Sequence, residues 1–331
     1  MRSQLWWAGE WGAAKAAALL VLLLFVLVDS AGDQTVPARQ DRDPESFRIS
    51  VDVALVVLHA TVIDRQGGFV SDLNPQDFEV YENGVPQRIQ LFTSEDIPVT
   101  VGLVVDHSTT MRPKLVEVSA AARTFVRSSN REDEMFVVNF NEVVTLGLSG
   151  ATRFTDNTTE LEHAITRPED SGGQTALYDA IARGLEEVQA GSRDKKVLIV
   201  VSDGGDNASG RSLGQVIGLA EQSSAVIYTV GVFNEQDPDR NPGVLRRLAR
   251  ATGGEAFLPG QLSEVVAICE RIARDIRHQY TIGYVPSNPT RDGTYRAIRV
   301  LALGKSRRLS VRTRTGYIAA GEPRIDKKGA K

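Results

Sequence analysis

The chain has 331 residues, of which 42% are hydrophobic and 24% are charged, and its formal net charge is -4. This composition is typical of a globular protein with room for two domains, and the lack of any basic run argues against nucleic acid as a partner. The single cysteine, Cys269, excludes an intrachain disulfide and is expected to be a small buried side chain.

Residues 1–31 are predicted to be a signal peptide or an N-terminal anchor. Arg2 and Lys15 precede an apolar stretch from Ala16 to Val28, which is short for a membrane span but suits the apolar part of a signal peptide. If the stretch stays uncleaved, it is the expected contact with a membrane. In both cases the positive charge before it places the rest of the chain outside the cytoplasm, either secreted or periplasmic.

A polar linker is predicted at 32–45, and short strands follow it at 46–96. Apolar residues alternate with mostly polar ones from Phe47 to Val57, which indicates a strand with one buried face. The Asn83-Gly84 pair is a strong hairpin signal between the apolar segments 78–81 and 89–92. These strands are too few for a large core, so they are interpreted as the first part of a β-sandwich.

Residues 97–277 show a different pattern, in which apolar strands alternate with helices. The run 197–201 is apolar throughout, as expected of a parallel strand covered on both faces. The alternation predicts a doubly wound, Rossmann-like α/β fold. The predicted strands are 99–105, 135–140, 143–148, 197–201 and 225–232, and the predicted helices are 113–127, 158–166, 175–189, 212–222, 242–251 and 262–277.

The pattern returns to strands at 278–318, with segments at 280–285, 295–303 and 309–317. Neither flanking segment holds enough strands for a domain of its own. We therefore expect 46–96 and 278–318 to form one β-sandwich into which the α/β domain is inserted. The charged residues 319–331 are predicted to be a disordered tail.

Hydroxyl and carboxylate side chains follow the buried strands of the predicted α/β domain. Open α/β sheets bind ligands outside the carboxyl ends of their strands, and three separate segments place such residues there. All of these side chains offer hard oxygen ligands, which suit Mg²⁺, Ca²⁺ or Mn²⁺ and not zinc. The candidate metal ligands are Asp106, Ser108, Thr110, Thr175 and Asp203.

These residues resemble the metal-ion-dependent adhesion site of von Willebrand factor type A domains, in which an Asp-x-Ser-x-Ser motif is joined by a later Thr and Asp. The segments 174–181 and 201–204 resemble the family's later motifs, while 77–84 and 253–257 resemble a bacterial group of exported proteins related to that family. The resemblance implies a divalent cation, Mg²⁺ first, with an open position that a partner protein's Asp or Glu fills.

The resemblance leads us to expect a non-catalytic module for metal-dependent protein binding or adhesion outside the cytoplasm. Two departures bear on it, because Thr110 replaces the usual second serine and Thr109 stands where glycine is usual. Glycine allows backbone angles that threonine resists, so a strained loop is expected. The alternative is an envelope scaffold with a vestigial site, whose loop hydroxyls merely cap the following helix.

Other motifs are weaker. Asp106-His107-Ser108 lacks the geometry of a catalytic triad because its members are adjacent in one loop. The Asp237-Asn241 segment begins like an EF-hand loop but has proline at the required glycine; it is expected on the rim of the metal face. Residues 172–175 lack the lysine of a phosphate loop. The arginines at 246, 247 and 250 are interpreted as the solvated face of one helix.

Overall fold

The computed structural model describes residues 55–148, 153–167, 173–233, 240–304 and 309–319. The predicted signal peptide or anchor, the linker, the start of the first strand and nearly all of the predicted tail lie outside these ranges. Among the helices within them, none combines the length and the apolar character needed to cross a bilayer.

The α/β part of the chain is built on a six-stranded sheet. Its order is β10-β9-β8-β5-β6-β7, and all neighbouring pairs are parallel except β6 with β7. The strands are β5 (Val99–Asp106), β6 (Glu134–Phe140), β7 (Val144–Leu146), β8 (Lys195–Ser202), β9 (Val226–Gly231) and β10 (Ala256–Phe257). The two-residue strand β10 was not predicted, because so short a segment has no periodicity.

Within the described ranges, six helices cover this sheet on both faces, which explains why β5 and β8 are buried along their whole length. One apolar cluster joins the sheet to α1, α2 and α6, and a second joins it to α3, α4 and α5. The helices are α1 (Leu115–Ser128), α2 (Thr158–Thr166), α3 (Leu177–Gln189), α4 (Leu213–Gln222), α5 (Pro242–Thr252) and α6 (Val265–Arg277).

Local sequence sets several helix ends. The side chain of Asn157 accepts from two backbone N–H groups at the start of α2, and Ser212 forms a capping box with Gln215 at the start of α4. Asn241 caps α5, whose first residue is proline, and Gly253 ends that helix in the left-handed conformation.

The flanking strands form two antiparallel four-stranded sheets around a third apolar cluster. One sheet has the order β13-β1-β11-β4, and the other has the order β14-β12-β2-β3. The strands are β1 (Val56–Ile63), β2 (Phe78–Glu82), β3 (Val85–Gln87), β4 (Ile89–Thr93), β11 (Tyr280–Tyr284), β12 (Tyr295–Ala302), β13 (Ser310–Arg312) and β14 (Gly316–Ile318).

Strands from before and after the α/β part are hydrogen-bonded to each other in both sheets. In the first sheet β11 lies between β1 and β4, and in the second β12 pairs with β2. The predicted fold class, a doubly wound α/β domain with a flanking β-sandwich from both chain segments, is confirmed. The predicted Asn83-Gly84 turn is confirmed, since both residues have positive φ between β2 and β3. The predicted partner segment, 89–92, is wrong, because it is β4 and lies in the other sheet.

The predicted strand 309–317 is wrong as a single strand. It is divided into β13 and β14, which belong to different sheets. Between them, the backbone N–H of Thr315 donates to the carbonyl of Ala251 at 3.3 Å, and the guanidinium of Arg314 donates to the carbonyl of Glu221. These contacts with the α/β part hold the chain where it crosses from one sheet to the other.

A buried polar network joins the sandwich to the α/β part. The guanidinium of Arg312 on β13 pairs with Asp275 of α6 and with Glu255. Asp275 also accepts from the Thr61 hydroxyl of β1 at 2.6 Å. Because Asp275 is almost fully buried, its charge depends on this arginine, and the network fixes the contact between the two parts.

Candidate metal site

The predicted ligands lie at the carboxyl edge of the central sheet. Strand β5 ends at Asp106, and its parallel neighbour β8 ends at Ser202, directly before Asp203. Since parallel neighbours end at the same edge, the two loops meet although they are almost a hundred residues apart in sequence.

Close contacts link four of the five predicted residues. The hydroxyl of Thr110 donates to Asp203 Oδ2 at 2.7 Å and lies 3.2 Å from the hydroxyl of Ser108. The backbone N–H of Ser108 in turn donates to Asp106 Oδ1 at 2.8 Å. The four side chains therefore form one continuous cluster of oxygen atoms.

The fifth residue, Thr175, lies in a loop that packs against this cluster. Its backbone N–H donates to the side chain of Asn207 at 2.8 Å, and its carbonyl accepts from the N–H of Asn207 at 2.9 Å. A Cβ added to Gly173 would lie 2.8 Å from the hydroxyl oxygen of Thr109. The loop thus adjoins the 106–110 segment, while the direction of the Thr175 hydroxyl toward an ion stays a prediction.

The two carboxylates of the cluster are buried, with Asp106 0% and Asp203 2% exposed. Burial raises the pKa of Asp106 to about 6, and the nearby charge of Asp203 adds to the rise, whereas hydrogen bonds from Ser108 and Ser202 oppose it. Two desolvated carboxylates side by side favour a bound cation. Thr110, by contrast, is exposed, so the cluster opens toward solvent on that side.

The donor set fits a hard divalent cation. The predicted set consists of two carboxylates and three hydroxyls, and within the described ranges no group of three or more His, Cys, Asp or Glu side chains could hold an ion instead. Oxygen-only ligands with few charges suit Mg²⁺ or its close analogues.

Thr109 does not strain the loop as the sequence suggested. Among the described residues other than glycine, positive φ occurs at Asn83 alone, so threonine is accommodated at 109 without a left-handed backbone. The glycine that this edge requires is Gly204, with φ of 85° and a hypothetical Cβ only 2.5 Å from the carbonyl of Asn241.

Sequence reasoning missed two supporting residues. The hydroxyl of Ser202 donates to Asp106 Oδ2 at 2.7 Å, and it accepts from the N–H of Gly204 at 3.0 Å. The second residue, Asp206, accepts from the N–H of Tyr178 in the first turn of α3 at 2.9 Å. The position of Ser202 between an apolar strand and a candidate ligand was the available signal.

The predicted rim segment 237–241 is only partly described. The structure includes Asn241, whose backbone N–H donates to the carbonyl of Asp203 at 2.9 Å. The start of α5 therefore touches the candidate site, while Asp237 and Asp239 lie outside the described ranges.

A family model for the von Willebrand factor type A domain matches residues 100–265, half of the chain. The chain belongs to this family. Its domains are generally non-catalytic, generally mediate protein–protein interaction and often bind a divalent cation at the metal-ion-dependent adhesion site. No curated protein sequence matches the chain.

Several solved structures are similar to this chain. A von Willebrand factor type A protein from Catenulispora acidiphila is 11% identical and covers 81% of this chain and 73% of its own, with a TM-score of 0.47. An aerotolerance-related membrane protein from Bacteroides fragilis is 14% identical over 54% of this chain and 98% of its own, with a TM-score of 0.44. Proximal thread matrix protein 1 from the mussel byssus, with a zinc-occupied adhesion-site motif, is 15% identical over 55% and 48%, with a TM-score of 0.43.

Proposed function

We propose that the chain is a protein-binding or adhesion module that works outside the cytoplasm through a divalent cation, Mg²⁺ first. The proposed ligands are Asp106, Ser108, Thr110, Thr175 and Asp203. The observation that carries the proposal is the unbroken set of contacts from Ser108 through Thr110 to Asp203 beside the buried Asp106. When bound, the ion would offer an open coordination position to an Asp or Glu carboxylate of a protein partner.

The charges of the cluster support the recruitment of an anion. Only two of the five proposed ligands carry a charge, so their negative charge does not exceed that of a divalent ion, and attraction for a further carboxylate remains. The exposed position of Thr110 supplies the path from solvent. The carboxylates are held in place by hydrogen bonds, because the hydroxyl of Ser202 donates to Asp106 and the N–H of Gly205 donates to Asp203.

The alternative of a scaffold with a vestigial site required the loop hydroxyls to cap the next helix. Neither α1 nor the 3-10 turn before it, Arg112–Lys114, has a side-chain cap hydrogen bond. The hydroxyl of Thr110 instead donates to Asp203, which favours the hypothesis of metal-dependent protein binding.

Calorimetry on the full chain tests the metal site. Wild type is expected to bind Mg²⁺, and Thr110→Val, which keeps the side-chain shape but removes the hydroxyl, should bind at least about tenfold more weakly, equivalent to about 1.4 kcal/mol. Thr109→Val is the matched control, since its hydroxyl is not a proposed ligand. Absence of Mg²⁺, Ca²⁺ and Mn²⁺ binding by wild type, or equal losses in both variants, would refute the proposal.

Partner recruitment needs a separate test. Pull-down from envelope extract with immobilised full chain should capture a partner in Mg²⁺ but not in chelator, and Asp106→Ala should behave as wild type does in chelator. Capture that is indifferent to chelator would support the scaffold instead.

The location and the domain boundaries are further parts of the proposal. Export rests on the apolar stretch from Ala16 to Val28 after positive charge.

The division into 46–96, 97–277 and 278–318 is supported by the pairing of β11 with both β1 and β4. Removal of residues 278–331 should therefore unfold the sandwich strands of the N-terminal segment, and stably folded N-terminal strands in the truncated chain would refute the division.

A further inference from the structure

A groove of about 600 Å³ lies between the α/β part and the sandwich, within the size range of ligand sites. One wall comes from α5 and the segment 254–256, and the other comes from β12 and residues 311–315. Among its apolar lining residues, Ala256 and Val311 are half-buried, whereas Ala249, Ile298 and Val300 are buried.

The groove carries a strong excess of positive charge, with five arginines and one carboxylate, Glu255, along its walls. Two of the arginines are already engaged. Arg312 pairs with Glu255 and with Asp275, and Arg314 donates to the backbone carbonyls of Glu221 and Gly316.

The other three arginines, Arg246, Arg250 and Arg299, are exposed. Within the described parts of the chain, the ion pairs found involve none of them. Arg246 and Arg250 lie one turn apart on α5, so their like charges repel each other. The sequence interpretation of a solvated arginine face is thus incomplete, because these two line a groove, whereas Arg247 does not.

We propose that this groove docks an acidic segment of a partner protein, in which carboxylates alternate with apolar side chains. Carboxylates would pair with the three arginines, whose planar guanidinium groups suit bidentate contacts. The half-buried side chains of Ala256 and Val311 would contact alternate side chains of an extended segment. A small hydrated anion would leave these two apolar side chains uncovered.

The groove is separate from the candidate metal site, so this inference does not rest on the proposed function. Asn241, at the start of α5, touches Asp203, and Arg250 lies nine residues further along, about 13 Å at the rise of an α-helix. Binding in the groove is therefore expected to be independent of divalent cations.

Fluorescence anisotropy of a labelled peptide of alternating Glu and Leu, titrated with the full chain in chelator, tests the inference. The variant with both Arg246→Gln and Arg250→Gln should bind at least about tenfold more weakly than wild type, and added salt should weaken wild-type binding. Arg247→Gln is the matched control on the same helix and should bind as wild type does. Arg299→Gln on β12 repeats the test from the opposite wall, in case the double variant misfolds.

Several outcomes would overturn the inference. Equal affinity of wild type and the arginine variants would show that the peptide binds elsewhere. If a peptide of alternating Glu and Ser bound as tightly as the peptide of alternating Glu and Leu, the apolar lining residues would make no contribution to binding. Binding of a sulfated polysaccharide through Arg246 and Arg250, without binding of the peptide, would identify a different class of partner. Peptide binding that requires Mg²⁺ would assign it to the metal site and leave the proposed function standing.

Discussion

Glu82 and Arg296 form an ion pair in the sandwich whose disruption should be costly. Their side chains are 3% and 2% exposed, and Nη1 of the arginine lies 3.2 Å from Oε1 of the glutamate. Glu82 Oε2 also accepts from the hydroxyls of Tyr284 and Tyr317 at 2.8 and 2.9 Å. One carboxylate from the N-terminal segment thus meets three side chains from the C-terminal segment.

Glu82→Gln keeps the size of the side chain but leaves the buried guanidinium without its full counter-charge. Breaking a buried pair in this way costs about 3–5 kcal/mol of unfolding free energy. Arg296→Met should cost less, because the two tyrosine hydroxyls still donate to the carboxylate. The double variant should lose roughly 2 kcal/mol less than the sum of the single losses, since neither charge remains buried alone.

Urea unfolding of all four proteins, followed by far-ultraviolet circular dichroism, measures these values. Tryptophan fluorescence is unsuitable because the three tryptophans are Trp6, Trp7 and Trp11, far in sequence from the sandwich strands. Additive single losses, or a loss below about 1 kcal/mol for Glu82→Gln, would show that this pair does not act as a buried unit.

Three further predictions concern pH, the metal edge and a helix cap. Burial lowers the pKa of His59 to about 3, so the folded state resists the proton that the unfolded chain takes up below about pH 6.5. Between pH 7.5 and about pH 5, wild type should therefore lose about 2 kcal/mol of unfolding free energy that His59→Gln does not lose. Equal losses for the two proteins in urea unfolding would contradict this. Gly204→Ala should lower the unfolding free energy by at least about 1 kcal/mol and weaken Mg²⁺ binding, because the φ of Gly204 is positive and an added Cβ would meet the Asn241 carbonyl. Gly218→Ala is the control, because an added Cβ there lies in open space on α4 and should raise the unfolding free energy by up to about 1 kcal/mol. Asn157→Ala should cost about 1 kcal/mol in thermal or urea unfolding through the lost cap of α2, and an unchanged midpoint would count against the capping role.

The central sheet was predictable because each of its longer strands has a local sequence pattern. A strand covered on both faces must be apolar throughout, as 197–201 is, and the Asn83-Gly84 turn requires residues that tolerate positive φ. The division between β13 and β14 has no comparable local signal. It depends on contacts of residues 314 and 315 with Glu221 and Ala251, which come from distant parts of the chain.

The candidate ligands of the site were predictable from the sequence, whereas the hydrogen bonds that hold them in place were not. Asp106 and Asp203 follow apolar strands, so the shared edge of a parallel sheet brings them together. The hydrogen bond from Ser202 to Asp106 exists only because β5 and β8 are neighbours, and strand order cannot be read from either segment alone. The arginine groove was missed for the same reason, since its walls come from two parts of the fold.

The position of β11 between β1 and β4 has a consequence for the order of folding. Thr93, where the chain leaves the sandwich, is the register partner of Thr281, close to where it returns. The intervening segment must bring these ends together before the sheet can close, and a compact α/β fold does so at a smaller loss of chain entropy than an open loop of the same length. During synthesis, the early strands have unpaired edges until their partners are made roughly two hundred residues later. Rapid folding of the inserted segment would shorten this exposure and so limit aggregation.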